Sequence, residues 1–358
     1  MKAVWCEEFA PIDQLKIADI PAPALKPGHV LIDVYAGGMN FPDGLIVQGK
    51  YQTKPPLPFA PGSEAAGVVA QVGEGVTGFK PGDRVVAFSG LGGFAEQALV
   101  PATQIYHAPD GVSFEALAGL LINYGTSYHA LKDRAAMKPG ETLLVLGAAG
   151  GVGLSAVELG ALMGAKVIAA ASSADKLELA KSRGASELIN YSTENLRDRI
   201  KEITGGKGVD VVYDPVGGES TLATIKSLAW GGRHLVIGFA AGDIPNIPAN
   251  LLLLKSASSM GVLWGMSLRA DPVHHGNNIA QLLQWLAEGK IKPEIDRVVA
   301  QPASFARKVS GSYYTHDDLV RLVLRESVGL LARERLEAFD AHIHKLGKKT
   351  ALNPGDWD

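Results

Sequence analysis

One stretch of the chain decides its fold: Thr142-Leu-Leu-Val-Leu-Gly147-Ala-Ala-Gly150-Gly151-Val-Gly153-Leu-Ser-Ala-Val-Glu-Leu-Gly-Ala161. An apolar run leads into a glycine turn and then directly into a segment with helical spacing. Ala148, Gly150 and Gly153 have the spacing of the dinucleotide fingerprint, with alanine in the first place. Glycine lets the backbone approach a pyrophosphate, and a helix start offers unpaired N–H groups and a positive dipole end. The stretch therefore predicts a dinucleotide site at Ala149, Gly150, Gly151 and Val152.

The end of the next apolar run indicates which dinucleotide binds. An NAD site usually has an acid about 20 residues after the glycine turn, where it binds the ribose diol. Here Ala171 is followed by Ser172 and Ser173, with Lys176 within reach of a 2′-phosphate. Asp175 is the nearest acid, and its position predicts a helix N-cap instead. The pattern favours NADPH, bound by Ser172, Ser173 and Lys176; the alternative is two loop serines and a solvated lysine.

Strands and helices alternate through the middle of the chain, which predicts an α/β domain with a doubly wound parallel sheet. The strands are predicted at Leu143–Leu146, Val167–Ala171, Val209–Tyr213 and His234–Ile237, and the helices at Gly153–Met163, Ala174–Ser182, Thr193–Thr204 and Ser220–Ala229. A further helix is predicted at Gln281–Leu286. The first 120 residues or so contain short apolar runs broken by Gly and Pro. That pattern is typical of a compact β-rich domain.

Composition limits the class of protein. The chain has 358 residues, which suits two domains better than one. Its net charge of −3 favours neither nucleic acid nor anionic lipid as a partner. We expect no membrane span, since no run of about 18 apolar residues occurs, and no secretory signal, because acids appear early. Cys6 is the only cysteine, so we expect no internal disulfide and a cytoplasmic enzyme.

Several motifs together resemble the zinc-independent quinone reductase branch of the medium-chain dehydrogenase/reductases. They are Gly38–Asp43, Pro61–Gly67, Gly78–Val85, the glycine turn and Asp214–Gly218, and the resemblance extends to about Arg297. It implies a GroES-like β-rich catalytic domain interrupted by a Rossmann domain. The expected limits are residues 1–122 for the first catalytic part, 123–260 for the NADP-binding domain, 261–302 for the return to the catalytic domain, and 303–358 for an atypical tail.

The residues argue against a catalytic zinc. Zinc-dependent relatives have Gly-His-Glu where this chain has Gly62-Ser63-Glu64, and Cys6 does not correspond to their cysteine ligand. Catalytic zinc needs three protein ligands. The adjacent pair His274 and His275 is interpreted as surface or loop residues. We therefore expect no metal.

The resemblance also implies roles for individual residues. It places Asn40, Tyr51 and Asn123 near the nicotinamide and substrate as catalytic residues. The residues expected to contact the cofactor are Thr126, Tyr191, Gly217, Gly238, Phe239 and Ala240, in addition to the glycine turn and the Ser172–Lys176 region. Without the resemblance, Asn40 could be a turn residue, and Tyr51 and Tyr191 could be packed rings.

The expected reaction is hydride transfer from NADPH to a quinone or an α,β-unsaturated carbonyl, completed by a solvent-derived proton. Two alternatives stay open. One is an enoyl-thioester or enone reductase on the same fold, and the other is a non-catalytic NADPH-binding sensor or structural protein. Ser258–Trp264 is predicted to be an apolar edge strand, through which the family commonly forms homodimers.

The family pattern stops after about Ala300. Relatives end with a strand that closes the catalytic domain, and we expect this chain to lack it. Gly311–Thr315 and the residues that follow are similar to a segment of adenine-specific DNA methylases, whose catalytic core is absent here. The tail is interpreted as a foreign or frameshifted ending, or a divergent helical cap, without activity. Helices are predicted at Asp317–Gly329 and Ala332–Lys345.

Overall fold

Antiparallel strands dominate the first part of the chain. The computed structural model describes residues 1–300 and 308–311. Its first elements are β1 (Lys2–Trp5), β2 (Lys16–Asp19), β3 (His29–Met39), α1 (Phe41–Val47), β4 (Glu64–Val72), β5 (Arg84–Ala87), β6 (Gln97–Pro101), β7 (Ile105–His107), α2 (Phe114–Ala118) and α3 (Leu121–Tyr128). Strands β1 and β2 form a small ribbon, whereas β3 to β7 belong to a second sheet. Helix α3 continues as a π-helical turn at His129–Arg134.

A six-stranded parallel sheet follows. Its elements are β8 (Thr142–Leu146), α4 (Gly151–Leu162), β9 (Lys166–Ala171), α5 (Ala174–Ser182), β10 (Glu187–Asn190), α6 (Leu196–Ile203), β11 (Val209–Asp214), α7 (Gly218–Lys226), β12 (Leu228–Val236), α8 (Ala249–Leu253) and β13 (Ser258–Gly261). The strand order is β10-β9-β8-β11-β12-β13, with every neighbour parallel. The order reverses between β8 and β11, and ligands of open α/β sheets bind at such a switch point.

The alternation of side chains explains why both faces of this sheet are covered. Along β8, Leu143 and Val145 join one core cluster, which α4 and α5 cover. Leu144 and Leu146 join another, which α6 and α7 cover. Side chains of a strand point to opposite faces in turn, so an unbroken apolar run needs helices on both sides. The predicted fold class, a GroES-like domain with a Rossmann-type parallel-sheet domain, is confirmed.

The chain then returns to the first domain. Its last described elements are α9 (Trp264–Ala270), α10 (Pro272–Ala287), β14 (Arg297–Ala300) and β15 (Lys308–Gly311). Strand β15 pairs in parallel with Ala36–Met39 of β3, so the second sheet has seven strands. The expectation that the tail adds no strand to the catalytic domain is therefore wrong for these four residues. The methylase-like segment after Gly311 and both predicted tail helices lie outside the described residues.

The predicted edge strand is shorter than expected. Strand β13 ends at Gly261, and Trp264 begins α9 instead of ending the strand. The Trp264 ring packs directly on Gly125 of α3, where an added Cβ would stand 2.6 Å from the ring. The indole is thus buried against another element, and the local apolar pattern could not reveal this. Within the described part of the chain, none of the helices has the length and apolar character to span a membrane.

Candidate active site

A cleft of about 860 Å³ opens at the carboxyl ends of β8, β9, β11 and β12 and extends to α1 and the loop after it. It brings together most of the predicted site residues: Asn40, Tyr51, Asn123, Thr126, Ala149, Gly150, Gly151, Val152, Lys176, Tyr191, Gly238, Phe239 and Ala240. Residues of both domains therefore line a single cavity. Ser172, Ser173 and Gly217 are not among its lining residues.

The glycine turn forms one wall of the cleft. Gly147 has a φ of +56°, and Gly150 is the N-cap of α4. A Cβ on Gly153 would lie 2.1 Å from the Gly147 carbonyl oxygen, so only glycine allows this contact between turn and helix. The first N–H groups of α4 have no partner within the helix and begin at the cleft wall. The turn therefore fits the pyrophosphate of a dinucleotide.

Lys176 extends from α5 into the far end of the cleft. Its Nζ donates a hydrogen bond to Ser172 Oγ at 3.0 Å, and Tyr191 lines the same region. Ser173 is the N-cap of α5, so the expectation that Asp175 holds this position is wrong. Asp175 lies in the first turn, where a carboxylate is favoured by the helix dipole. Of the three residues predicted to select the cofactor, Lys176 alone lines the cleft, and Ser172 holds its ammonium group.

Gly217 lies behind the cleft wall. It is the N-cap of α7 with a φ of +73°, and its N–H donates to Asp214 Oδ1 at 2.9 Å. A Cβ at this position would stand 3.0 Å from Cδ1 of Phe239. Gly217 therefore shapes the turn against which Phe239 rests.

Two buried carboxyl groups lie directly beneath the cleft at α1. Glu64 is 0% exposed, and its Oε1 accepts a hydrogen bond from Asn40 Nδ2 at 2.7 Å. Its Oε2 accepts from the Ile122 N–H at 3.1 Å. Asp43 accepts from the Asn40 N–H at 2.9 Å and from Ser63 Oγ at 2.5 Å. This network fixes the Asn40 amide at the cleft surface.

Burial dominates the electrostatics of this network. It raises the pKa of Glu64 to about 8, although hydrogen bonds from Asn40 and Ile122 act in the opposite direction. It raises the pKa of Asp43 to about 6, against hydrogen bonds from Ser63 and Asn40. Tyr51 has a raised pKa because of burial first and the Asp43 charge second. Burial therefore favours the neutral form of both carboxyl groups, and more strongly for Glu64 than for Asp43.

Asp43, Ser63 and Glu64 were not predicted as site residues. The available signal was the presence of acids and a serine in two segments, around Asn40 and after Gly62, that otherwise carry small or apolar residues. Two basic residues of the cleft, Lys54 and Arg269, lie in segments without a recognisable local pattern.

Helix α3 places Asn123 and Thr126 in the cleft. The Asn123 carbonyl oxygen accepts a hydrogen bond from Ser155 Oγ of α4 at 3.0 Å. Ser127 Oγ lies 2.9 Å from Ser155 Oγ and 2.7 Å from the Tyr213 hydroxyl. These buried hydroxyl groups connect α3 to both α4 and β11, and so hold Asn123 in a fixed position.

Ser63, which stands where zinc-dependent relatives have a histidine ligand, belongs to the carboxyl network. Ser63 uses its hydroxyl as a donor to Asp43, and Cys6 is buried beside Phe59 in the N-terminal apolar cluster. The interpretation of the histidine pair as surface or loop residues is wrong for His275. Both histidines lie in α10, and His275 is only 2% exposed.

Two family models match the chain. Residues 26–110 match the alcohol dehydrogenase GroES-like domain, and residues 151–288 match the zinc-binding dehydrogenase domain. Quinone oxidoreductase-like protein 2 of Rattus norvegicus is 41% identical over 298 residues, which cover 83% of this chain and 85% of that protein. The quinone oxidoreductase of Homo sapiens is 37% identical over 297 residues, covering 82% and 89%.

Solved structures give the same grouping. The quinone oxidoreductase of Escherichia coli, solved in complex with NADPH, has a TM-score of 0.76 and 32% identity, covering 82% of this chain and 90% of that one. The quinone oxidoreductase of Pseudomonas syringae has a TM-score of 0.79 and 32% identity, covering 90% and 96%.

Proposed function

Because this chain belongs to the quinone oxidoreductase branch of the medium-chain dehydrogenase/reductase superfamily, we propose that it is an NADPH-dependent reductase of quinones or α,β-unsaturated carbonyls. The family itself supports an oxidoreductase. NADPH as the cofactor, and a quinone or an α,β-unsaturated carbonyl as the acceptor, are what we propose.

One observation carries the choice of NADPH. Lys176, in the first turn of α5, lines the same cleft as the glycine turn, and the carboxyl end of β9, where an NAD site would place an acid, has Ala171 followed by Ser172 instead. A lysine ammonium group is a point charge suited to a phosphate. Its hydrogen bond to Ser172 keeps the charge at this wall of the cleft.

The cofactor, when bound, supplies the hydride. The chain's own groups bind and orient the acceptor and stabilise the negative charge that develops on its oxygen. Positioned donors in a site with little water do this well. Tyr51 offers a hydroxyl with a raised pKa, so it remains a donor at neutral pH. The Asn40 amide is held by Glu64, which makes Glu64 a positioning residue in this proposal.

The experiment is isothermal titration with NADPH and NADH. Lys176→Ala should weaken NADPH binding roughly ten- to hundredfold, since a charge-assisted contact contributes about 1.5–3 kcal/mol, and should leave NADH nearly unchanged. Lys181→Ala is the matched control, because Lys181 lies on the same helix with its side chain 61% exposed. Equal losses for both cofactors in Lys176→Ala would overturn the assignment.

A second candidate is an enoyl-thioester reductase, which one observation favours. Lys54 and Arg269 are exposed side chains at the cleft, where they would attract the phosphate groups of an acyl carrier. Oxidation of NADPH should be compared with a panel of quinones, small enones and enoyl thioesters. Preference for thioesters, reduced by Arg269→Ala, would select this candidate. NADPH binding without turnover of any acceptor would instead favour a sensor or structural protein.

A further inference from the structure

A compact cluster of histidines and a carboxylate lies apart from the cleft. His129 begins the π-helical turn after α3, and Asp133 lies in the same turn. His275 comes from α10, which packs on α3. Each of the three offers a ligand atom, and these atoms lie within 4.8 Å of one another. None of the three lines the candidate active site.

Hydrogen bonds already organise the carboxylate. Asp133 Oδ2 lies 2.8 Å from His129 Nδ1 and 3.0 Å from His274 Nε2, and it accepts from Asn278 Nδ2 at 2.9 Å. His274 and Asn278, which are not members of the three-residue set, orient this carboxylate as outer partners commonly orient carboxylates that bind metals. The neighbouring cation, Lys132, donates from its Nζ to Asn278 Oδ1 at 2.6 Å and lies over the Tyr128 ring.

In the part of the chain that the structure describes, His275 makes no hydrogen bond in this network. It is 98% buried, and its Nδ1 has no hydrogen-bond partner among the described residues. A buried nitrogen without a partner is unfavourable, and an ion or a water beside it would satisfy it. The His275 ring packs edge to face on the His129 ring with centroids 4.8 Å apart, and one nitrogen of each imidazole lies within 4.8 Å of the other and of an Asp133 carboxylate oxygen.

We propose that His129, Asp133 and His275 bind a divalent transition-metal ion of the Zn²⁺ type. Two imidazoles and one carboxylate form a ligand set that Zn²⁺ accepts, with water in the fourth position. Ligand atoms around tetrahedral Zn²⁺ are about 3.3 Å apart, whereas these three lie within 4.8 Å of one another. Binding therefore requires side-chain rotation of up to about 1.5 Å, and the metal replaces the hydrogen bond between His129 Nδ1 and Asp133 Oδ2.

The position of the site gives it a structural consequence. His129 follows Thr126 by three residues, on the helical run that also carries Asn123 into the cleft. A metal would join the end of this run to α10 through ligands from both. The π-helical geometry is consistent with a built site, because such turns occur frequently at functional positions. This inference does not depend on the proposed reaction or on NADPH.

The test is titration of chelator-treated, desalted full-length protein with ZnCl₂, followed by calorimetry. One saturable Zn²⁺ per chain is expected. Asp133→Asn, which keeps the side-chain shape, and His275→Gln should each weaken binding at least about tenfold. His107→Gln is the control, since His107 is an exposed histidine of β7 outside the cluster and should leave binding unchanged.

Two further measurements keep the result unambiguous. Circular dichroism establishes that each variant is folded, and Asp133→Asn decides the matter if His275→Gln does not fold. Co²⁺ added to the native protein should give visible absorption bands typical of four-coordinate nitrogen–oxygen sites, and Asp133→Asn should lose them. Failure of the native protein to bind one Zn²⁺, or unchanged binding by Asp133→Asn, would overturn the proposal.

Discussion

Replacement of Glu64 by glutamine tests the buried carboxyl network beneath the cleft. The pKa of this carboxyl is about 8 in the folded chain against an ordinary value of 4.5. A raised carboxyl pKa means that the folded state holds its proton longer, so the stabilisation is fully present below about pH 4.5 and is lost as pH rises towards 8. At about 1.4 kcal/mol per pH unit, the total loss is roughly 5 kcal/mol.

Glu64→Gln removes this titration. Its amide also places a donor against one of two N–H groups, from Asn40 and Ile122, at a cost of about 1–3 kcal/mol that does not vary with pH. The stability advantage of the native protein over the variant should therefore shrink by about 2 kcal/mol between pH 6 and pH 8. Urea unfolding followed by tryptophan fluorescence measures this difference at each pH.

The exposed Glu74 of the same domain supplies a matched control. Glu74→Gln should leave the stability of the protein parallel to that of the native chain across the range. If the native and Glu64→Gln unfolding free energies also stay parallel from pH 6 to pH 8, then burial does not hold the proton on Glu64, and the electrostatic account of the network is refuted.

Gly153→Ala should weaken NADPH binding by at least about tenfold, because its Cβ would lie 2.1 Å from the Gly147 carbonyl oxygen and displace the turn; Gly276→Ala, a helical position with open space, should bind normally, and equal affinities in titration would contradict this reading. We also expect a homodimer through β13, which pairs only with β12 and leaves its other edge free within the described sheet. Light scattering at micromolar concentration should give twice the chain mass, and a monomer mass would count against the interface.

The Rossmann half of the fold was predictable because its signals are local. The apolar run from Leu143 to Leu146, the glycine turn and the helix after it are each fixed by neighbouring residues. The lining residues Gly238, Phe239 and Ala240 follow from the same logic, since strand ends of a parallel sheet share one edge. Helix limits differ from expectation by a few residues, as at Leu196–Ile203, because loop polar groups cap the ends.

The carboxyl network and the histidine cluster were not predictable by such means. Asn40 meets Glu64 because β3 and β4 pair with Gly38 opposite Glu64, and this register is a tertiary property. Likewise His275 meets His129 only through the packing of α10 on α3. A histidine pair on a helix carries no mark of whether it faces solvent or another helix until the second helix is placed.

The junction between β3 and its neighbours has a consequence for how the end of such a chain can change during evolution. One edge of β3 is shared: β6 pairs with His29–Asp33, and β15 pairs with Ala36–Met39, just before Asn40. Ladder pairing joins backbone N–H and C=O groups, which every residue except proline supplies. The sheet beside the catalytic asparagine of the proposal can therefore be completed by a segment that has drifted far from its relatives in sequence. A change of side chains within Lys308–Gly311 therefore need not alter the shape of the strand that presents Asn40.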